Sequence, residues 1–184
     1  AYLVGNALIN TNGDSEIQVS EAAAFTGGLY GMVCSTLVIL DLTGIEAFTA
    51  LTELDCTDNQ LTSLDVSSCT ALKILFCNDN QLTSLDVSSN TALEEFNCND
   101  NQLTSLDVSN NNTIGYLNCW NNQLTSLDVS SCTALFLLNC HNNQLTSLDV
   151  SSNTALNGLF CESNQLTSLD VSSNTVFNYL KCNN

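Results

Sequence analysis

Apolar residues recur along this chain every 21 residues. Successive units open at Leu51, Leu72, Leu93, Ile114, Leu135, Leu156 and Phe177; six are complete and a seventh stops after eight residues. The unit reads L-x-x-L-x-C-x-x-N-Q-L-T-S-L-D-V-S-S-N-T-A, and the stretch N-Q-L-T-S-L-D-V-S is identical in all six complete units. Self-similarity at a fixed period of this length marks a solenoid. Within a unit the apolar positions are 1, 4, 6, 11, 14 and 16. Alternation at 4 and 6, and again at 14 and 16, is the period of a strand with one buried face. Neither half leaves room for a helix of normal length. The pattern predicts two short extended segments per turn, stacked at about 4.8 Å on those of neighbouring turns into two parallel sheets.

Two polar columns sit among the apolar ones. Position 9 is Asn59, Asn80, Asn101, Asn122, Asn143 and Asn164; position 19 is Asn90, Asn111, Asn153 and Asn174, with Cys69 and Cys132 as replacements. A side-chain amide carries donors and an acceptor, so it can satisfy backbone groups left free where the coil bends inward. These Asn are expected to be structural. Position 6 is a column of seven cysteines: Cys56, Cys77, Cys98, Cys119, Cys140, Cys161 and Cys182. They alternate in phase with leucines and are expected to point inward as free thiols. In-register neighbours hold their Cβ atoms about 4.8 Å apart, wider than the roughly 3.5–4.5 Å of a disulfide. A line of thiols also fails to converge on a point, as a zinc site requires.

The segment Leu93-Glu94-Glu95-Phe96-Asn97-Cys98-Asn99-Asp100-Asn101 resembles the common leucine-rich repeat segment with Cys at its third apolar position. The whole unit is similar to the 21-residue bacterial subclass called IRREKO, frequent in secreted and surface proteins of Bacteroidota. The resemblance spans residues 51–184. It implies a right-handed leucine-rich repeat solenoid, mainly parallel β, that binds through exposed strand faces and carries no chemistry of its own.

Residues 1–50 lack the repeat and are expected to form a small helical N-terminal cap, with residues 51–184 as the repeat domain. Asn10, Asn12, Asp14, Gln18 and Glu21 fall at positions 1, 3, 5, 9 and 12 of an EF-hand-like loop, with Ile17 at its apolar position 8. Oxygen ligands at this spacing suit Ca²⁺. Asn rather than Asp at position 1, and Ser15 rather than Gly at position 6, both weaken such a site. The alternative is an empty turn feeding a helix over Ser20–Ala24, capped by Ser20. The stretch from Val38 to Leu51 reads as one irregular turn that hides the first core layer, as solenoid ends require. An EF-hand-like cap followed by such a turn is similar to the caps of internalins, bacterial leucine-rich repeat adhesins. The chain stops with Leu180 and Cys182 on its last core layer, so a fragment, or a second domain or subunit over that end, is expected.

Outward positions of the first half-unit are 3, 5 and 7, flanked by 2 and 8, and there the turns differ from one another. Tyr116, Trp120, Leu137, His141 and Phe160 fall on adjacent turns bordered by Asn118 and Asn139, with Phe76 nearer the N-terminus. An apolar patch rimmed by amides suits a protein partner or a stacked sugar ring. His141 has only Glu162, one turn away, as a charged column neighbour, which argues against hydrolase chemistry. The second half-unit turns an Asp column outward: Asp65, Asp86, Asp107, Asp128, Asp149 and Asp170. Its carboxylates are expected to accept hydrogen bonds from neighbouring serines such as Ser63 and Ser67. Thr62, Thr83, Thr104, Thr125, Thr146 and Thr167 form a regular column, the basis of a minor ice-binding reading.

Composition narrows the partners. With 2 Lys+Arg against 19 Asp+Glu and a formal charge of −17, nothing here neutralises a nucleic-acid backbone or anionic lipid. No apolar run approaches the length of a membrane span. The expectation is a non-enzymatic extracellular or cell-surface module that binds a protein or glycan. Its rival is an assembly element that self-associates through the open solenoid end.

Overall fold

The computed structural model describes residues 19–29 and 39–183. Its framework is one eight-stranded sheet, all parallel, in chain order. The strands are β1 (Gly28–Leu29), β2 (Glu53–Asp55), β3 (Ile74–Phe76), β4 (Glu95–Asn97), β5 (Tyr116–Asn118), β6 (Leu137–Asn139), β7 (Gly158–Phe160) and β8 (Tyr179–Lys181). From β2 onward each strand comes from positions 3–5 of one unit, and the register advances by 21 residues per turn.

The second predicted strand does not form. Each second half-unit bonds to its neighbour by a single backbone hydrogen bond per turn, as from Gln81 N–H to the Leu61 carbonyl (2.9 Å) or Gln102 to Leu82 (2.8 Å). The reason is local competition for donors. The Asp at position 15 accepts the N–H two residues on, as Asp86 does from Ser88 (2.9 Å), and the N–H at position 19 turns back to position 16, as from Asn90 to Val87 (2.9 Å). Side-chain and turn bonds thus consume the N–H groups that a second ladder needs.

The Asn columns fill that gap. Asn80 Oδ1 accepts from Leu61 N–H (2.9 Å), while its amide donates to the carbonyls of Cys56 (3.0 Å), Cys77 (3.1 Å) and Asn78 (3.1 Å). The same four contacts recur in every turn from Asn80 to Asn164, so position 9 binds each coil to the one before it. Position 19 works with one hand only. Asn90, Asn111, Asn153 and Asn174 donate to two carbonyls of the preceding turn, while each Oδ1 is buried without a partner. The cysteine replacements follow from this. Cys132 directs its thiol at the Val108 and Asn111 carbonyls (3.7 and 3.5 Å), the same type of acceptors, and brings no orphan oxygen.

Position 8 carries a feature that the apolar pattern does not show. Asp58, Asp79, Asp100, Asn121, Asn142 and Ser163 all have φ between 50 and 56°. This left-handed backbone makes the sharp corner after each strand, and Asp and Asn enter it more readily than other non-glycine residues.

The core lies between the sheet and the second half-units. The apolar residues at positions 1, 4 and 11 (leucine except Phe96 and Ile114), valine at 16 and the cysteine column are buried from the second turn to the fifth. At the N-terminal end, helix α1 (Val19–Ala24) buries Ala22, and Phe25 meets Phe48 edge-on (6.1 Å between centroids) above the first layer. Ser20 lies inside α1 and is not its cap, a shift of one residue from the expected start. The irregular turn is a disguised repeat. Ile39 donates to Asn59 Oδ1 (3.0 Å) and accepts from Gln60 (3.0 Å), as position 11 does elsewhere, and a 3-10 turn over Ile45–Ala47 completes it. Gly28 is required where β1 meets β2, because a Cβ there would lie 2.8 Å from that of Glu53. Of the proposed Ca²⁺ loop, Asn10, Asn12, Asp14 and Gln18 lie outside the described residues.

Candidate functional site

Strands β2 to β6 alternate outward, inward, outward, so positions 3 and 5 face solvent while the residue between them enters the core. Position 7 continues the outer face beside the left-handed corner. Tyr116 is 43% exposed, and Trp120, Leu137, His141, Phe160, Asn118 and Asn139 are half-buried on this face. The expected patch is therefore assembled, with a defined internal order.

The indole of Trp120 and the imidazole of His141 stack at 4.8 Å with planes 9° apart. Each ring covers one face of the other. His141 Nδ1 lies 2.6 Å from Asn139 Oδ1, which fixes the ring in its plane. Tyr116 pairs with Phe136 (5.7 Å, tilted 52°), and Lys181 Nζ lies 5.4 Å over the Phe160 ring. Phe76 stands apart, in column with Asp55 and Asn97 in the N-terminal turns. Phe136, 42% exposed, is missing from the sequence-based set. It occupies position 2, a column that holds Thr52, Lys73, Glu94, Gly115, Phe136, Asn157 and Asn178. The variation along that column was the available signal.

Glu162 does not engage His141 through a hydrogen bond. One carboxylate oxygen is buried without a partner, and the side chain is close enough to Cys140 and Cys161 to add to the rise in their pKa. Burial is the main cause of that rise, and it pushes Cys161 up to about 11. Among the described residues no cluster of three or more His, Cys, Asp or Glu is placed to hold a metal ion.

The opposite face is uniform. Each Asp of position 15 accepts the backbone N–H of the Ser two residues on, from Asp65–Ser67 to Asp170–Ser172, at 2.8–2.9 Å. The partner is thus the serine after the Asp, and no bond from Ser63 contributes. Hydrogen bonds from the Ser67 hydroxyl and N–H hold Asp65 below the ordinary carboxylate value, and the other five behave alike. A carboxylate whose folded pKa is depressed contributes stability that is complete above its unfolded value, about 3.9, and lost as pH falls through the lower folded value. Stability to urea is therefore expected to be flat between pH 7 and about 5 and to fall below about pH 4. Carboxyl NMR titration should give midpoints for these six below that of an Asp model peptide; midpoints at or above it would refute the assignment.

Similarity to known proteins agrees with this architecture. The leucine-rich repeat family matches twice, as two copies over residues 49–90 and as a single repeat over residues 99–116. No curated protein matches the chain. Among solved structures, the functional domain of InlJ from Listeria monocytogenes, described as including a cysteine ladder, is 39% identical with a TM-score of 0.70. That match covers 90% of this chain and 41% of the other, so the chain spans about two fifths of the InlJ domain. The internalin InlF from the same organism aligns at TM-score 0.76 and 23% identity, over 90% of this chain and 58% of that one. Internalin C2 aligns at 0.67 and 19%, over 96% and 89%. The two last share the fold. The chain is a leucine-rich repeat solenoid similar to internalins.

Proposed function

We propose that this leucine-rich repeat solenoid is a non-enzymatic binding module, displayed outside a bacterial cell, that recognises a protein through its strand face. One contrast carries the reading. Gln at position 10, Thr at 12 and Ser at 13 are exposed in every complete unit and form no side-chain hydrogen bond among the described residues, yet they are identical in all six. Neutral drift among repeats would have changed such positions as freely as any. Instead the differences concentrate at positions 2, 3, 5 and 7, on one side of the coil. A half-buried surface that varies while a more exposed surface stays fixed is one selected for shape.

The aromatic geometry favours protein over glycan. His141 covers one face of the Trp120 indole, so a sugar has only the other face on which to stack. The patch suits burial of Tyr116 and Phe136 in a partner's surface, where aromatic anchors contribute most of the binding energy. In a binding screen against extracellular proteins, Tyr116→Ala with Phe136→Ala is expected to weaken a genuine partner at least tenfold, the cost of about 1.4 kcal/mol or more. Thr125→Ala with Ser126→Ala should change nothing. The reverse pattern would move the interface to the other side of the coil.

The rival reading is end-to-end association through the last turn, where Val176, Tyr179 and Leu180 are 48%, 64% and 42% exposed. Sedimentation that depends on concentration, and that is abolished by Tyr179→Ser with Val176→Ser, would favour it.

A further inference from the structure

Negative charge on the strand face is divided along the solenoid axis. Glu53, Asp55, Glu94 and Glu95 belong to the first three units; in the next three, Glu162 is the only acidic residue outside the opposite-face Asp column. Position 8 repeats the division, with Asp58, Asp79 and Asp100 followed by Asn121, Asn142 and Ser163. All six share one left-handed conformation, and Asp and Asn both enter it readily, so the backbone gives no reason for the switch. An acidic half thus meets an aromatic half between β4 and β5.

A depression of about 450 Å³ lies at that seam, lined among others by Glu94, Glu95, Gly115, Tyr116 and Ala134. It is open because position 2 of this unit is Gly115. Neither backbone nor packing demands glycine there: a Cβ would come no closer than 3.8 Å to any neighbour, the Ala134 carbonyl oxygen. Glu94 is paired with Lys73 (2.9 Å), whereas no ion pair or hydrogen bond among the described residues engages the Glu95 carboxylate. The chain's only two basic side chains both lie on this face, Lys73 on a carboxylate and Lys181 over the Phe160 ring. The seam offers both types of contact together.

We propose that the depression at Gly115 takes an arginine side chain of the protein partner, with its guanidinium paired to Glu95 and set against the Tyr116 ring. This rests on the binding-face reading above and names the chemistry of its central contact. A planar guanidinium suits such a place better than an ammonium, because it bonds a carboxylate through a fork of donors while stacking on an aromatic ring. Around it the partner presents further positive charge toward β2–β4 and apolar surface toward β5–β7, so that it docks in one direction only.

The probe is N-acetyl-arginine methylamide, titrated into the labelled chain and followed by backbone NMR, with the neutral citrulline counterpart as control. The arginine probe is expected to shift the Gly115 and Tyr116 amides to saturation at millimolar concentration, and citrulline to shift them little. Glu95→Gln, and independently Gly115→Leu, should weaken the effect at least about tenfold. Equal shifts from citrulline, retention in both variants, or matching shifts at Ser88 and Ser109 beside the Asp column would overturn the proposal, the last because it signals general screening of the −17 charge. A protein partner weakened by Tyr116→Ala with Phe136→Ala but indifferent to Glu95→Gln and Gly115→Leu would leave the binding face standing and remove this contact from it.

Discussion

Asn122→Leu is expected to cost about 2–5 kcal/mol, whereas Asn153→Cys, at the other amide column, should stay within about 1 kcal/mol of the parent. Both residues are buried, and they differ in what they satisfy. Asn122 accepts from Leu103 N–H (2.9 Å) and donates to the carbonyls of Cys98 (3.0 Å), Cys119 (3.1 Å) and Trp120 (3.2 Å). Leucine fills the space but leaves the Leu103 donor buried with no partner, at about 1–3 kcal/mol. The carbonyls of Cys98, Cys119 and Trp120 each lose one of two donors, about 1–2 kcal/mol more in all, and keep Asn101 (3.2 Å), Asn143 (3.0 Å) and the Asp100 N–H (3.1 Å). Total stabilities of about 5–15 kcal/mol make that a large fraction. Asn153 donates to Val129 (2.9 Å) and Cys132 (2.8 Å), and its buried Oδ1 has nothing to accept. A thiol keeps a weak donor toward the same carbonyls and removes the orphan acceptor, as Cys132 already does one turn earlier. Chemical denaturation of both variants decides the matter, and similar losses at the two sites would show that the columns are equivalent.

Folded chain should be nearly inert to a thiol reagent at the buried column cysteines from Cys56 to Cys161, whereas Cys182, expected to point inward with them, is exposed. Burial pushes Cys119 up to about 12, and Cys77, Cys98 and Cys140 well above the ordinary thiol value. The thiolate is the reacting species, so at neutral pH Cys119 offers about a thousandth of the thiolate of an ordinary exposed cysteine, before access is considered. Among the described cysteines, Cys182 should be modified first. Denaturation without reductant should then release nearly all ten cysteines of the chain to the reagent. Only a few reactive thiols under those conditions would mean a cross-linked ladder. Cys98→Ser is expected to lose about 1–3 kcal/mol, since a hydroxyl there sits in an apolar column and must find a carbonyl or go without. Cys98→Ala should lose less.

The sequence was most informative where one residue type serves one purpose in every turn. Leu72, Leu75 and Cys77 recur in phase with the buried side of a strand, and position-9 Asn could be assigned to the backbone before any geometry was known. The second sheet failed because alternation at Leu64 and Val66 reports burial, not hydrogen bonding, and the donors nearby are claimed by Asp65 and by the turn closing on Cys69. The left-handed corner was written in the Asp and Asn of position 8, but Ser163 breaks the column and hydropathy is blind to φ. On the strand face, Trp120 and His141 were correctly read from the sequence as neighbours. Phe136 was overlooked because position 2 lies just before the strand, where alternation gives no direction.

The stretch Asn-Gln-Leu-Thr-Ser-Leu-Asp-Val-Ser is the same in six places, and the side chain of each Asn from Asn80 to Asn164 bonds its own coil and the coil before it. An exchange between any two copies of that stretch joins one unit to another in frame and finds the same partners waiting. The inner half of the molecule therefore acts as a coupling standard, and a lineage that shortens, lengthens or reorders its turns composes a new outer surface from tested parts while inheriting a core that already fits.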